Sequence, residues 1–205
     1  MTSHPVHRSI LALDIESSTA PLRTNPIKKE LRDLLYGFLI QAMEYAGVGE
    51  ERHDPFDDRG DGILLPIHPV DDVPKTFLLS RLVPELTRQL TDYNLGLASV
   101  ERMRRELRVR AAIHAGDILC DETGCIGEAV DVACRMLDSP KLKAVLRSVP
   151  TPMVLAVSSE IYWGIVRHEY VGIDASDYRP HYSVLVCGRR QQVFVHVPSP
   201  LVLAS

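Results

Sequence analysis

The sequence predicts an α+β sandwich, helices covering a mostly antiparallel sheet, and three features carry that prediction. Apolar residues recur at helical spacing in several separate stretches, and short apolar or alternating runs lie between them. Gly and Pro clusters divide those runs into strand pairs. Read along the chain, the order is strand, helix, hairpin, helix, hairpin, helix, strand, helix, hairpin. A ferredoxin-like core fits inside it.

Ile10 to Leu13 are four consecutive apolar residues and read as a buried strand, so Asp14 falls where that strand meets a hydroxyl-rich loop, Ser17, Ser18 and Thr19. Ile27, Leu31, Leu34, Leu35, Phe38, Leu39, Ala42 and Tyr45 follow at helical spacing, predicting a helix over 27–46 that Gly47 ends. Residues 48–60 are polar and contain Pro55, so a strand there is irregular or at an edge. Its partner is Ile63 to Ile67, and Asp61, between Gly60 and Gly62, occupies the hairpin tip. A helical region of about 75–104 has Phe77, Leu78, Leu82, Leu86 and Leu90 on its apolar face; Pro84 predicts a kink and Gly96 a split.

Leu107, Val109, Ala111 and Ile113 alternate with Arg108, Arg110 and Ala112, predicting a half-buried strand that ends at His114 and Gly116. A hairpin through Ile118 to Cys120 and the turn Asp121 to Gly124 follows, and Gly127 starts a helix with Val130, Cys134 and Leu137 on one face. Leu142 to Leu146 reads as a short helix, Met153 to Val157 as a strand, and Ser158 as the N-cap of a helix carrying Ile161 to Val166. The last strands, Tyr182 to Cys187 and Gln192 to Val197, flank Gly188, Arg189 and Arg190.

At 205 residues, 45% hydrophobic and 24% charged, one domain spanning 1–205 is the default, with its core at about 9–197. Net charge is -4 and no run of Lys or Arg exceeds two, which argues against nucleic acid or anionic lipid as a partner. No apolar run approaches the ~18 residues of a membrane span, so no membrane association is expected and the chain reads as cytoplasmic. The four cysteines lack a C-x-x-C pair, so reduced thiols are expected, although Cys120 and Cys125 could meet across a hairpin as a redox switch or half a metal site. His4 and His7 are expected to be solvated in a frayed N-terminus.

The chemistry lies in Asp14 and Asp61. A fold that brings them together makes a carboxylate pair beside a loop of backbone N–H groups, which is what a magnesium-bound triphosphate needs. The plainer alternative is that Asp14 caps a turn and Asp61 suits a tight hairpin.

Five segments, in order, are similar to the class III nucleotidyl cyclase homology domain, the family of adenylyl and guanylyl cyclases: LALDIESST, RGDGILL, RVRAAIHAGDI, GEAVDVACRML and VLVCGRRQQVFVHV. The similarity looks closest to a divergent bacterial single-domain branch with DRGDG. A diguanylate-cyclase or polymerase palm would share the strand Asp and the hairpin carboxylate but predicts neither the H-A-G nor the G-E-A-V-D-V-A-C-R segment.

The resemblance implies the cyclase type of ferredoxin-like sandwich. It also implies conversion of a nucleoside triphosphate to a cyclic nucleotide and pyrophosphate, with Asp14, Asp61 and the Ile15 carbonyl holding two Mg2+ or Mn2+ ions. Amides around Ser17, Ser18 and Thr19 would hold phosphates, and Arg135 would neutralise charge on the reacting phosphate. Arg135 could equally form a surface pair with Asp131, worth ~0.2–0.5 kcal/mol. Three positions depart from the family. Asp131 stands where an asparagine donates to the ribose, and a carboxylate only accepts. Asp57, or Asp58 if the register shifts, stands where adenylyl cyclases have a base-reading lysine, which disfavours ATP and favours GTP. Gly124 stands at the second base-reading position, with Cys125 one residue away.

The family's sites form between two chains, so a head-to-tail homodimer with two equivalent sites is implied. The alternative is a weak or inactive cyclase-like module that binds nucleotide, dimerises or docks to an effector protein. A third class is an unrelated hydrolytic or transfer activity at the same metal site.

Overall fold

The computed structural model of the chain describes residues 4–58, 60–122 and 124–199. Arg59 of the RGDG segment and Thr123 of the Asp121–Gly124 turn lie outside the described residues.

Helices cover both faces of one sheet. Its strands are β1 (Val6–Ile15), β2 (Asp57–Asp58), β3 (Gly62–Ile67), β4 (Val109–Asp121), β5 (Gly124–Ile126), β6 (Met153–Ser158), β7 (Arg179–Val186) and β8 (Arg189–His196). They run in the order β2-β3-β1-β4-β6-β8-β7, with β5 paired to β4, and β4–β6 is the parallel pair among antiparallel ones. The helices are α1 (Asn25–Tyr45), α2 (Val83–Gly96), α3 (Ser99–Arg105), α4 (Glu128–Leu137), α5 (Pro140–Ser148) and α6 (Ser159–Gly164). The fold class and element order are those predicted.

Strand periodicity divides the core in two. Along β1, Leu11, Leu13 and Ile15 join Leu31, Leu35 and Leu39 of α1, whereas Ile10 and Ala12 join Ala129, Val132 and Met136 of α4 on the other face. Asp14 has the parity of Ile10 and Ala12, which places it on the α4 face.

Four expectations need correction. The strand predicted to stop at Gly116 continues to Asp121, because β1 pairs with it from Ile15↔Val109 out to Val6↔Ile118. Gly116 is still required there: α4 crosses so closely that a Cβ on it would meet the Ala129 Cβ at 2.8 Å. Nor is β4 half-buried. Val109 to Ala115 are all buried, Arg110 included, since helices pack on both faces of this central strand. His7 is no frayed residue: it lies in β1, its Nδ1 3.0 Å from an Asp117 carboxylate oxygen. Finally, the last hairpin turns on Cys187 and Gly188, with φ of 46° and 76°, the positive pair of a two-residue hairpin turn, and Arg189 and Arg190 belong to β8.

The predicted kink at Pro84 takes the form of a π-helical turn, Leu78–Leu82, whose wider bonding runs directly into α2 and accommodates the ring and missing N–H of proline. α2 ends at Gly96, where the split was predicted. Among the described residues no helix is long and apolar enough to cross a membrane.

Candidate functional site

Ladder register brings the two aspartates together. Asp14 lies opposite Gly62 in the β1–β3 pair, and the Ile15 N–H donates to the Asp61 carbonyl at 3.0 Å, so both carboxylates stand at one end of the same two strands. Their surroundings differ. Asp14 is 9% exposed, and the Arg110 guanidinium, directly across the β1–β4 ladder, forms an ion pair with its Oδ2. Burial pushes the Arg110 pKa down while Asp138 counters. Asp61 is exposed and accepts a hydrogen bond from the Ser18 hydroxyl.

Asp61 borders two cavities. One, of about 220 Å³, is lined by Ile15, Ser18, Thr19, Lys28 and Arg32; the other, of about 210 Å³, includes Asp14, Cys134 and Asp138. The loop at the first cavity turns tightly: Ser17 takes a left-handed φ of 57°, and the Ala20 N–H donates to the Ser17 carbonyl at 3.0 Å. Among the described residues the amides of Ser17, Ser18 and Thr19 make no close hydrogen bond, which leaves three successive donors for an anion. Arg23 fixes the loop from below, donating to the Glu16 carbonyl at 2.7 Å and the Glu106 carbonyl at 2.6 Å. Lys28 and Arg32 were missed in the sequence, although two cations just after a hydroxyl-rich loop are a readable signal.

Two carboxylates and a strand-end carbonyl form a hard-oxygen donor set. That set fits Mg2+ or Mn2+, with Asp14 shared between any ion and Arg110.

A larger cavity, about 500 Å³, lies at the opposite end of β1 and is lined by Arg8, Asp54, Asp57, Asp58, Gly124 and Cys125, among others. The candidate base-reading residues therefore meet in space. Asp57 pairs with Leu64, which packs in the α4 core, and Asp58 with Ile63, which packs in the α1 core, so the two side chains take opposite faces. Asp58 forms an ion pair with Arg32 of α1. Asp57 shares the face of Cys125. Asp54, missed in the sequence, accepts from Arg8 at 2.6 Å and His68 at 3.2 Å; burial raises its carboxyl pKa, but these two partners hold it below the ordinary value.

The expectation of reduced thiols is overturned here. Cys120 and Cys125 are directly opposite in the β4–β5 ladder and are joined as a disulfide. The unexpected continuation of β4 past Gly116 creates that register. Cys125 consequently has no S–H to take over the part of Gly124.

On α4 the apolar face, Ala129, Val132, Ala133 and Met136, is buried, while Asp131 and Arg135 are exposed. The surface pair considered for them does not form among the described residues, and neither lines the two cavities at Asp61.

No family model and no curated protein matches this chain. Solved structures do, over nearly the whole length. The adenylate/guanylate cyclase/hydrolase from Silicibacter pomeroyi superposes with a TM-score of 0.65 at 19% identity, covering 96% of this chain and 99% of that one. The guanylyl cyclase Cya2 gives 0.61 at 15%, covering 99% and 98%, and the adenylyl cyclase CyaB from P. aeruginosa 0.53 at 16%, covering 98% and 100%. The chain has the class III nucleotidyl cyclase fold. At these identities the likeness concerns architecture, so what the cyclase fold does in this chain rests on its own residues. Within that fold the candidate residues read from the sequence fall into three groups: Asp14, Ile15 and Asp61 with the Ser17–Thr19 loop; Asp57, Gly124 and Cys125 around the large cavity; and Asp131 with Arg135 on the open face of α4.

Proposed function

We propose that this chain is a class III nucleotidyl cyclase that converts a nucleoside triphosphate, GTP in preference to ATP, into a cyclic nucleotide and pyrophosphate. One observation carries the reading: Asp14, opposite Gly62 in the β1–β3 ladder, and Asp61 meet at one strand end, next to a loop whose three amides make no close hydrogen bond among the described residues. Mg2+ or Mn2+ held by Asp14, Asp61 and the Ile15 carbonyl would supply Lewis acidity at the α-phosphate and acidify the ribose 3′-hydroxyl. The amides of Ser17, Ser18 and Thr19 hold phosphate oxygens, and Lys28 adds positive charge at the rim of their cavity. Asp57 accepts from the guanine N–H groups, which an adenine lacks at that edge.

Arg135 supplies a permanent charge to the reacting phosphate, and its fork suits that task better than a lysine would. It does not line the cavities at Asp61 of its own chain, so a second copy, docked head to tail, brings its Arg135 and Asp131 to the phosphates. Asp131 is the weak point: it cannot donate to the ribose, and it carries negative charge toward a triphosphate. The single-domain organisation, with a core at about 9–197, and a cytoplasmic setting where triphosphates are available belong to the same proposal.

A second reading is favoured by Asp131, Gly124 and the bonded Cys125: a module of low or no turnover that binds nucleotide or docks to an effector protein. Incubating the purified chain with each of the four ribonucleoside triphosphates and Mn2+ or Mg2+, with products read by mass spectrometry, separates the two. Cyclic GMP is the expected product. Tight binding of GTP without any cyclic product would favour the module.

A further inference from the structure

The Cys120–Cys125 bond stands in an informative place. Both cysteines line the 500 Å³ cavity, together with Asp54 and Asp57. The two sulfurs and an Asp54 oxygen lie within 4.8 Å of one another, and Asp54 is already engaged by Arg8 and His68. The oxidised cavity also holds the Asp57 carboxylate, and its disulfide sulfurs donate nothing. A purine needs more: guanine offers N–H donors at N1 and N2 and an acceptor at O6, while adenine offers an amino donor where guanine has O6.

We infer that this disulfide is a reversible switch on base recognition, closed when oxidised and opened by thiol reductants, with the Cys125 S–H as the donor that reads guanine O6. The inference rests on the cyclase reading of the large cavity as the base site. Opening transfers two electrons and two protons from a dithiol to the sulfurs: the Cys120–Cys125 bond breaks, both become thiols, and the reductant leaves as its own disulfide. Reduction then gives guanine a donor for O6 alongside the Asp57 acceptor. Adenine gains less, because its amino group needs an acceptor and a thiol sulfur is a weak one. The chemical setting agrees. Nucleoside triphosphates are used in reducing compartments, where persistent disulfides are rare and those that form are characteristically transient and redox-sensing. Among the described residues the ladder partner of the short strand β5 is β4, so breaking the cross-link leaves the central ladders undisturbed.

The test uses the full chain isolated without reductant, compared with the same chain after dithiothreitol, and repeated in a Cys187→Ser background because Cys187 is exposed. Alkylation and peptide mass spectrometry read the Cys120–Cys125 link. Calorimetry reads binding of the α,β-methylene analogues of GTP and ATP, which cannot release pyrophosphate. The link is expected in the untreated protein, and reduction is expected to raise the affinity ratio of GTP to ATP analogue about three- to tenfold, the worth of one hydrogen bond. Cys120→Ser, which leaves Cys125 as a thiol that cannot close the bond, should show the reduced-state ratio with or without dithiothreitol. Absence of the link, or a ratio that reduction leaves unchanged, overturns the switch and leaves the cyclase reading standing. Failure of both analogues to bind in either state overturns the base-site reading and the switch with it.

Discussion

At its C-terminal end β1 delivers Asp14 into a ladder whose register also fixes Asp61; at its N-terminal end it delivers Val6 and Arg8 into a cavity completed by residues from the 54–58 segment and the β4–β5 hairpin. The register of the first end is set by backbone hydrogen bonds, with the Arg23 side chain fixing its loop. The second is shaped by side chains, Arg8 on Asp54 and Cys120 on Cys125, and its chemistry changes when any one of them changes.

The largest effect that tests this contrast is on stability. Asp14→Ala leaves Arg110 buried without its cross-strand counter-charge, and a loss of roughly 3–5 kcal/mol is expected in urea unfolding. Asp61→Ala, at an exposed position, should cost within about 0.5 kcal/mol while also abolishing cyclisation. Equal stability of the two variants would mean that Asp138 alone balances Arg110.

Next is a pH effect on the side of β1 that faces the large cavity. His114, opposite Ile10, is 7% exposed and its Nδ1 lies 2.8 Å from the Ser158 hydroxyl; burial pushes its pKa down to about 4, with His7 and Lys75 adding to the depression. The unfolded chain takes up this proton near pH 6.5 and the folded one only near 4, so stability from His114 is complete above the first value and lost between the two. The loss is on the order of 3 kcal/mol by pH 4, and His114→Gln should flatten the slope of stability against pH over that window. Smaller still is the gain from Asp131→Asn. Removing a unit charge ~4 Å from a phosphate in a solvated setting is worth ~1 kcal/mol, about a fivefold rise in the rate of cyclic product formation. A fall in rate would show that Asp131 has a different role.

The same contrast explains what the sequence disclosed. Four apolar residues before Asp14 and the glycines around Asp61 announce a strand end and a hairpin tip, and backbone register does the rest. Arg110 was not legible, because R-V-R-A alternation looks the same in a half-buried strand and in a central strand covered on both faces, and only the second buries the arginine. The disulfide was hidden for a related reason: it depends on β4 running five residues beyond Gly116, which its pairing with β1 and β5 dictates and local glycine does not. Arg8, Asp54 and His68 come from three separated segments, and no spacing links them before the chain folds.

The central claim, catalysis at a site shared between two copies, is tested most directly by mixing chains. Asp61→Ala and Arg135→Ala should each be inactive alone. Mixed in equal amounts, half the dimers pair one of each, and each such dimer has one site with both an intact metal pair and an intact arginine. Cyclic GMP formation is therefore expected to recover to roughly a quarter of the wild-type rate. A mixture as inactive as its components, beside an active wild type, would contradict the shared site, and no cyclic product from the wild type with any nucleotide or metal would contradict the activity itself.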